Sequence, residues 1–325
     1  MSGIQPRKEV QHFWRHLSQA VAQASLVTPD FQQESLSGSS ATTSSAQVGR
    51  PKITGNTVVI TGGSQGVGRA TALLFARNGY NVIIAARNPE KLRATEAELA
   101  GAATGGSICS AIPTDITDES SVASLVEDVT AKYESVSILI NCAGVCLNGT
   151  LESTSVSDFV EQMNVNFIGA VTMTKGFQPA LMAAARNGKP VLLNVNSFGG
   201  RIPLRNMAAY TASKFALAGF TDAIRPEFAD LGIHVAQVHP GVVNSNFMER
   251  AGFRGPKGEQ QRATMERMLQ QPPPGIVQTP EEVAAQVYAA VQGRKQEVFV
   301  GPAYNAINAL YRSFNVNPFS IEPPQ

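Results

Sequence analysis

Ser197, Tyr210 and Lys214 carry a hydroxyl, a phenol and an amine, the groups needed to move a proton onto or off an oxygen. Tyr210 and Lys214 stand four residues apart in NSFGGRIPLRNMAAYTASK (196–214), a spacing that sets two side chains on one face of a helix. A free phenol has a pKa of ~10, too high for acid work near neutrality, and a neighbouring ammonium predicts a lower value. Proton transfer is most effective when the acid's pKa approaches the working pH. Ser197 closes the apolar run 191–195, where a strand would meet a loop, so its hydroxyl and the phenol would grip one oxygen. By itself the Tyr-Lys spacing is also that of an ordinary surface pair, so the elements around it must decide.

For these groups to meet, a strand has to end at Ser197 and a helix has to carry the other two. Short apolar runs at 58–60, 82–84, 138–140, 191–193 and 235–238 alternate with amphipathic stretches of helical length. Such runs suit parallel strands buried on both faces, and right-handed crossovers wind them into one sheet. The expected fold class is α/β: a Rossmann-like doubly wound parallel sheet in three layers, forming a single domain. Thr279-Pro280-Glu281-Glu282 opens a further helix, with Thr as cap, Pro in the first position and Val283, Val287 and Val291 on one face. The run 298–300 reads as the last strand.

The first strand leads into TGGSQGVG (61–68), immediately before a helical run. Glycine allows the tight turn and a close backbone approach, and the helix N-terminus offers free amides to phosphates. Strand, glycines and helix in that order predict a dinucleotide site. About twenty residues further on, an acid would bind the 2′-hydroxyl of NAD. Here the only charge between Gly79 and Asn88 is Arg87, which favours a 2′-phosphate and hence NADP(H).

Other parts of the chain bound the function. Its 325 residues are 43% hydrophobic, enough for a sizeable core, and a formal charge of +1 gives no reason to expect a nucleic-acid partner. Cys109, Cys142 and Cys146 lack metal-ligand spacing and read as reduced thiols in a reducing compartment, with no metal. Residues 1–52 differ from the rest: Val10, Phe13, Trp14, Leu17, Val21 and Ala24 form one apolar helix face, and residues 35–45 are Ser-rich and linker-like. The catalytic domain is placed at 53–302, with a lid segment near 242–278 and an apolar extension at 303–325. A cytoplasmic location is expected. Plastid targeting, or peripheral membrane contact through the N-terminal helix or through Ile307, Leu310, Tyr311 and Phe314, is the alternative.

With these pieces placed, the chain resembles the single-domain short-chain dehydrogenase/reductase family from about Ile53 to Val300. The glycine spacing is met by Thr61, Gly62, Gly66 and Gly68, with Ser64, Gln65 and Val67 between them, and the family's N-[NA]-A-G is similar to Asn141-Cys142-Ala143-Gly144. Asp115 and Ile116 fall where the family contacts adenine. Asn166, Ser197, Tyr210 and Lys214 match its catalytic Asn, Ser, Tyr and Lys. Pro240, Gly241, Val243 and Ser245 match the stretch beside the nicotinamide, with Ser245 replacing a Thr, and Asn196 stands where a second Ser is usual. The resemblance implies that Tyr210 donates the proton, Lys214 lowers its pKa and holds the nicotinamide ribose, Ser197 steadies the oxygen, and Asn166 holds a water that leads to solvent. It also implies a homodimer or homotetramer.

The loops expected to wall the pocket hold Phe198, Leu204, Met207, Phe247, Met248, Phe253, Met265, Met268 and Leu269, which predicts a lipophilic ketone, aldehyde or alcohol as substrate. Arg201, Arg205 and Arg254 leave open a substrate carboxylate or phosphate. Within enzymes, the stretches ARNPEKL and YTASKFAL are similar to ketosphinganine reductases and to retinoid and steroid dehydrogenases, with 3-oxoacyl reductases also open. Outside enzymes, an NADP-binding scaffold or a peripheral membrane protein without turnover is the alternative.

Overall fold

The computed structural model describes residues 52–245, 250–272 and 275–314. The N-terminal helix, the Ser-rich stretch, Phe247, Met248 and residues 315–325 lie outside them. Seven strands form one parallel sheet: β1 (Thr57–Thr61), β2 (Asn81–Ala86), β3 (Cys109–Pro113), β4 (Ile138–Asn141), β5 (Val191–Val195), β6 (His234–His239) and β7 (Glu297–Phe299). Their order across the sheet is β7-β6-β5-β4-β1-β2-β3. Strand order therefore reverses between β1 and β4, the place where an open α/β sheet leaves a crevice at its carboxyl edge.

Alternation along the strands builds two cores, because successive side chains point to opposite faces. On one face Val58, Ile60, Val82, Ile84, Ile138, Ile140 and Leu193 meet Phe75 of α1 (Gly66–Arg77), Leu92 and Leu99 of α2 (Pro89–Ala102) and Val287 of α8 (Pro280–Gln292). On the other, Val59, Ile83, Leu139, Leu192 and Val235 meet Leu125 of α3 (Glu119–Lys132), Phe177 of α5 (Gly169–Ala185) and Phe228 of α6 (Ala208–Asp230). The three-layer architecture thus follows from runs that are apolar on both faces. No helix among the described residues is long and apolar enough to cross a membrane.

Three differences from the sequence reading stand out. Strand β3 was not anticipated: Cys-Ser-Ala-Ile-Pro has no β-branched run, and its place comes from the ladder with β2, from Cys109 opposite Val82 to Pro113 opposite Ala86. The last helix, α9 (Pro302–Phe314), buries Ala303, Tyr304 and Ile307 against Phe198, Ile202 and Phe299, so this part of the expected extension packs onto the domain. Ile307 is core, and the residue it leaves most exposed among the tail apolars is Phe314. The segment between β6 and α8 is tethered by short parallel pairs, Gly252–Phe253 against Leu147–Asn148 and Val242–Val243 against Val277–Gln278, and carries α7 (Gly258–Gln270) between them.

Candidate active site

The loops after β1 and β4 meet at the reversal point. Thr61 Oγ1 accepts hydrogen bonds from the amides of Cys142 at 3.0 Å and Ala143 at 3.1 Å, tying one loop to the other. The close approach fixes the glycines: Gly62 has φ +68°, and a Cβ on Gly68 would lie 2.3 Å from the Gly62 carbonyl oxygen. Only a residue without a Cβ lets α1 start this near the strand end.

One cavity of about 460 Å³ runs along this crevice. Its wall includes Gly62, Ser64, Gln65, Gly66, Val67, Gly68, Arg87, Asp115, Ile116, Ala143, Gly144, Ser197, Tyr210, Lys214, Pro240, Gly241, Val243 and Ser245, all expected from sequence. Two expected catalytic or cofactor residues are not on that wall, and neither are Phe253, Met268 and Leu269, expected among the apolar residues of the pocket. Asn141 is buried behind it, donating from Nδ2 to Asn194 Oδ1 at 2.9 Å, so its side chain joins β4 to β5. Asn166 sits in a π-helical turn (Asn164–Ile168) between α4 (Val156–Met163) and α5. Its amide is fully engaged: Oδ1 accepts from Val145 N at 2.8 Å, and Nδ2 donates to Val145 O and Ser213 Oγ, each at 2.9 Å. Such single-turn π segments recur at functional sites, and this one braces the backbone beside Gly144.

Ser197 ends up where β5 passes into a loop, and Tyr210 and Lys214 project from the first and second turns of α6. They are 8%, 7% and 4% exposed. The Ser197 hydroxyl is hydrogen-bonded to the Tyr210 phenol and also accepts from Gly199 N at 3.1 Å. Asn196, in place of the usual Ser, turns its Oδ1 to the Ser197 amide at 2.9 Å, and it requires Gly200, where a Cβ would lie 2.5 Å from that oxygen.

The electrostatics differ from the sequence expectation. Burial pushes the Tyr210 phenol above its ordinary value, the nearby Cys146 adds to this, and the bond with Ser197 offsets only part of it. Lys214 is not the dominant influence on the phenol, because its Nζ points to the Val195 carbonyl at 3.3 Å. Burial in turn lowers Lys214 from 10.5 to about 8, against an opposing pull from Cys142 and Cys146, whose thiols burial raises to about 12. The phenol is therefore a retained proton and the ammonium a marginal one.

Several wall residues escaped the sequence reading. Lys91, on the first turn of α2, stands beside Arg87 at the end of β2 and reaches Gln65 Oε1 at 3.1 Å. A Lys in the first turn of the helix after β2 was the available signal. Tyr304 comes from α9, donating to Ile276 O at 2.9 Å and accepting from Val242 N at 3.0 Å. Cys146, also not foreseen, completes an apolar end around Tyr210 with Leu204, Met207 and Met265, which were expected there. Arg201 and Arg254, entertained as anion holders, are instead paired with Asp222 and Glu297 and with Asp158.

Comparison with known proteins places this geometry. The family described as short chain dehydrogenase matches residues 56–253, more than half of the chain. The chain belongs to that family. The "Probable oxidoreductase EphD" of Mycobacterium tuberculosis is 31% identical over 274 residues, covering 82% of this chain and 45% of its own length, so the chain spans about half of that curated relative. Among solved structures, a short chain dehydrogenase/reductase from Burkholderia phymatum in complex with NAD shares the fold, with TM-score 0.73, 22% identity, and coverage of 83% of this chain and 98% of its own. A variant of the actinorhodin polyketide ketoreductase with NADPH has TM-score 0.66 and 26% identity, covering 75% of this chain and 94% of its own.

Proposed function

We propose that the protein is an NADP(H)-dependent oxidoreductase that interconverts a lipophilic ketone or aldehyde and its alcohol. The observation that carries this reading is one cavity with Ser197, Tyr210 and Lys214 at an apolar end and Arg87 with Lys91 at the other. Structural neighbours with NAD and with NADPH support a nicotinamide cofactor, and the cradle fits one: the Gly62, Gly66 and Gly68 turn leaves room for a pyrophosphate at the start of α1. When bound, the nicotinamide supplies or accepts the hydride. The residues to hold the cofactor are Ser64, Gln65, Gly66, Val67 and Gly68 at the phosphates, Asp115 and Ile116 at the adenine, and Ala143, Gly144, Pro240, Gly241, Val243 and Ser245 towards the reacting end.

The chain's own groups then act on the substrate oxygen. Ser197 and Tyr210 present two preset donors to it, and stabilising charge that develops there is usually the largest catalytic contribution. Tyr210 gives up its proton to the oxygen in reduction and takes it back in oxidation. Lys214, as an ammonium, favours the phenolate left behind. Asn166 braces Val145 and so holds the loop that carries Gly144 and Cys146 against this end.

Two expected results test the reading. Arg87 is the only charge between Gly79 and Asn88, and a hydrogen bond to a charged group is worth ~1.5–3 kcal/mol, so replacing Arg87 and Lys91 by Ala should weaken NADPH by ~10- to 100-fold and barely change NADH. Fluorescence titration of both cofactors decides it, and equal affinities in the unaltered protein would remove the NADP assignment. The apolar end formed by Phe198, Leu204, Met207 and Met265 makes kcat/KM rise with the length of an alkyl carbonyl, by ~0.8 kcal/mol or about four-fold per buried methylene. A series of matched carbonyls that shows no such rise, or favours sugars and acids, would overturn the lipophilic class.

A further inference from the structure

We infer that His239 is a positioning residue for Ser197: by holding the serine's own backbone carbonyl it sets the direction in which the Ser197 hydroxyl meets Tyr210. The inference rests on the reading of Ser197 and Tyr210 as the pair that grips the substrate oxygen.

Strand periodicity makes His239 conspicuous. It is the last residue of β6, and Val235, Gln237 and His239 point to the sheet face covered by α6, where Val235 is core. Two polar side chains on a buried face carry a desolvation cost unless they are partnered. Gln237 and His239 lie opposite Glu297 and Phe299 of β7 and are both 0% exposed. The imidazole stacks on Phe299, with centroids 4.7 Å apart and planes 13° from parallel, so its orientation is locked. Its Nδ1 is 2.9 Å from the Ser197 carbonyl oxygen. That oxygen can only accept, so Nδ1 carries the proton and donates.

The other side of the ring faces a carboxylate. Nε2 lies 3.1 Å from Glu297 Oε1. Burial would raise Glu297, but His239 and Arg201 more than offset this and bring it down to about 2. Arg201 continues the chain, meeting Glu297 at 2.8 Å and Asp222 of α6 at 2.6 Å. Arg201, Glu297 and Asp222 are only partly buried, and ion pairs so open to water contribute little to stability, so a fold needs no such chain here. What the chain of contacts reaches is residue 197. The Ser197 amide donates to Asn196 Oδ1, the next amide, of Phe198, donates to Pro240 O at 2.8 Å, and the carbonyl between them accepts from Gly200 N within its own turn and from His239 across the sheet, each at 2.9 Å. With the peptide pinned on both sides, the side chain has one direction in which to approach Tyr210.

Two near-isosteric substitutions separate the two ends of the ring. His239→Asn keeps an N–H near the Nδ1 position and gives up Glu297, whereas His239→Gln reaches the Nε2 position and gives up the Ser197 carbonyl. His239→Gln should lower kcat about ten-fold, the kinetic equivalent of one lost hydrogen bond, while His239→Asn retains most of it. NADPH affinity should stay the same in both. Equal losses in the two variants would make His239 merely structural and overturn the inference. Crystal structures of both variants read Ser197 directly and need no turnover: the Ser197 Oγ to Tyr210 contact should persist in the Asn variant and break in the Gln variant. An intact contact in both would equally overturn the inference. If the contact follows the expected pattern but the unaltered protein turns over no carbonyl, the functional reading fails and the positioning role stands.

Discussion

Tyr210→Phe should lower kcat by ~10²–10⁴-fold while NADPH still binds, since a positioned general acid is typically worth that much. The substitution keeps the ring that packs with Cys146, Ala251 and Met207 and removes only the phenolic hydrogen bond to Ser197. Burial and Cys146 raise the phenol above its ordinary value, so at neutral pH Tyr210 holds its proton in the resting protein. The consequence is directional: reduction starts from a loaded donor, and oxidation requires the phenolate. Reduction should therefore be flat on the acid side of neutrality, with oxidation rising towards alkaline pH. Steady-state rates in both directions with the Phe variant as control check this. A variant that keeps a tenth of the turnover would remove Tyr210 from the chemistry.

Lys214→Met should abolish most activity and at the same time stabilise the fold at pH 7. Burial lowers the Lys214 pKa from 10.5 to about 8, and at ~1.4 kcal/mol per unit the charged form carries a cost on the order of 3 kcal/mol in the folded state. The sign follows from proton linkage. Between about 8 and 10.5 the unfolded chain binds more protons than the folded one, so stability rises with pH across that window and the cost is in full force below it. Methionine fills a similar volume without charge, and its gain is reduced by leaving the Val195 carbonyl without its 3.3 Å partner. A rise in Tm of about 5 °C at pH 7, at ~2–4 °C per kcal/mol for a domain of this size, should shrink towards pH 10. Thermal melts at the two pH values measure it. A Tm that falls at pH 7 would show that Lys214 is structural, and that its burial is offset by contacts other than those described. A group kept at such a cost is the usual mark of a site in which stability yields to function.

The frame was legible because it rests on local rules. Apolar runs at 58–60, 82–84, 138–140, 191–193 and 235–238 can only be buried on two faces, and Thr279-Pro280 names a helix start by its cap; each lies in the element expected of it. Strand β3 was not legible, since its sequence is neutral and its pairing with β2 decides. Helical spacing brought Tyr210 and Lys214 to one cavity, but the sign of the phenol's shift was misread. Spacing gives the separation of two Cα atoms, whereas the shift depends on where Nζ points and how deeply the ring is buried. Tyr304 reached the site through packing distant in sequence, whereas Lys91 stood on the first turn of the helix after β2 and was overlooked. For Tyr304 a trace existed in Gly241, where a Cβ would sit 1.9 Å from a ring carbon of that tyrosine. His239 was open to the period-two argument, a polar residue on an otherwise apolar strand face, but its partner Glu297 lies on a strand whose position in the sheet only the fold reveals.

The central claim is that Tyr210 and Ser197 present a lipophilic carbonyl for hydride transfer with NADPH. Deuterium labelling of the transferred hydrogen measures that event itself. Incubated with a long-chain ketone and NADPH carrying deuterium at both hydrogens of the nicotinamide C4, the protein should yield an alcohol with one deuterium at the carbinol carbon, by mass spectrometry. The Tyr210→Phe protein, binding the same cofactor, should yield almost none. Unlabelled product, or no product from any carbonyl while NADPH is demonstrably bound, would contradict the account.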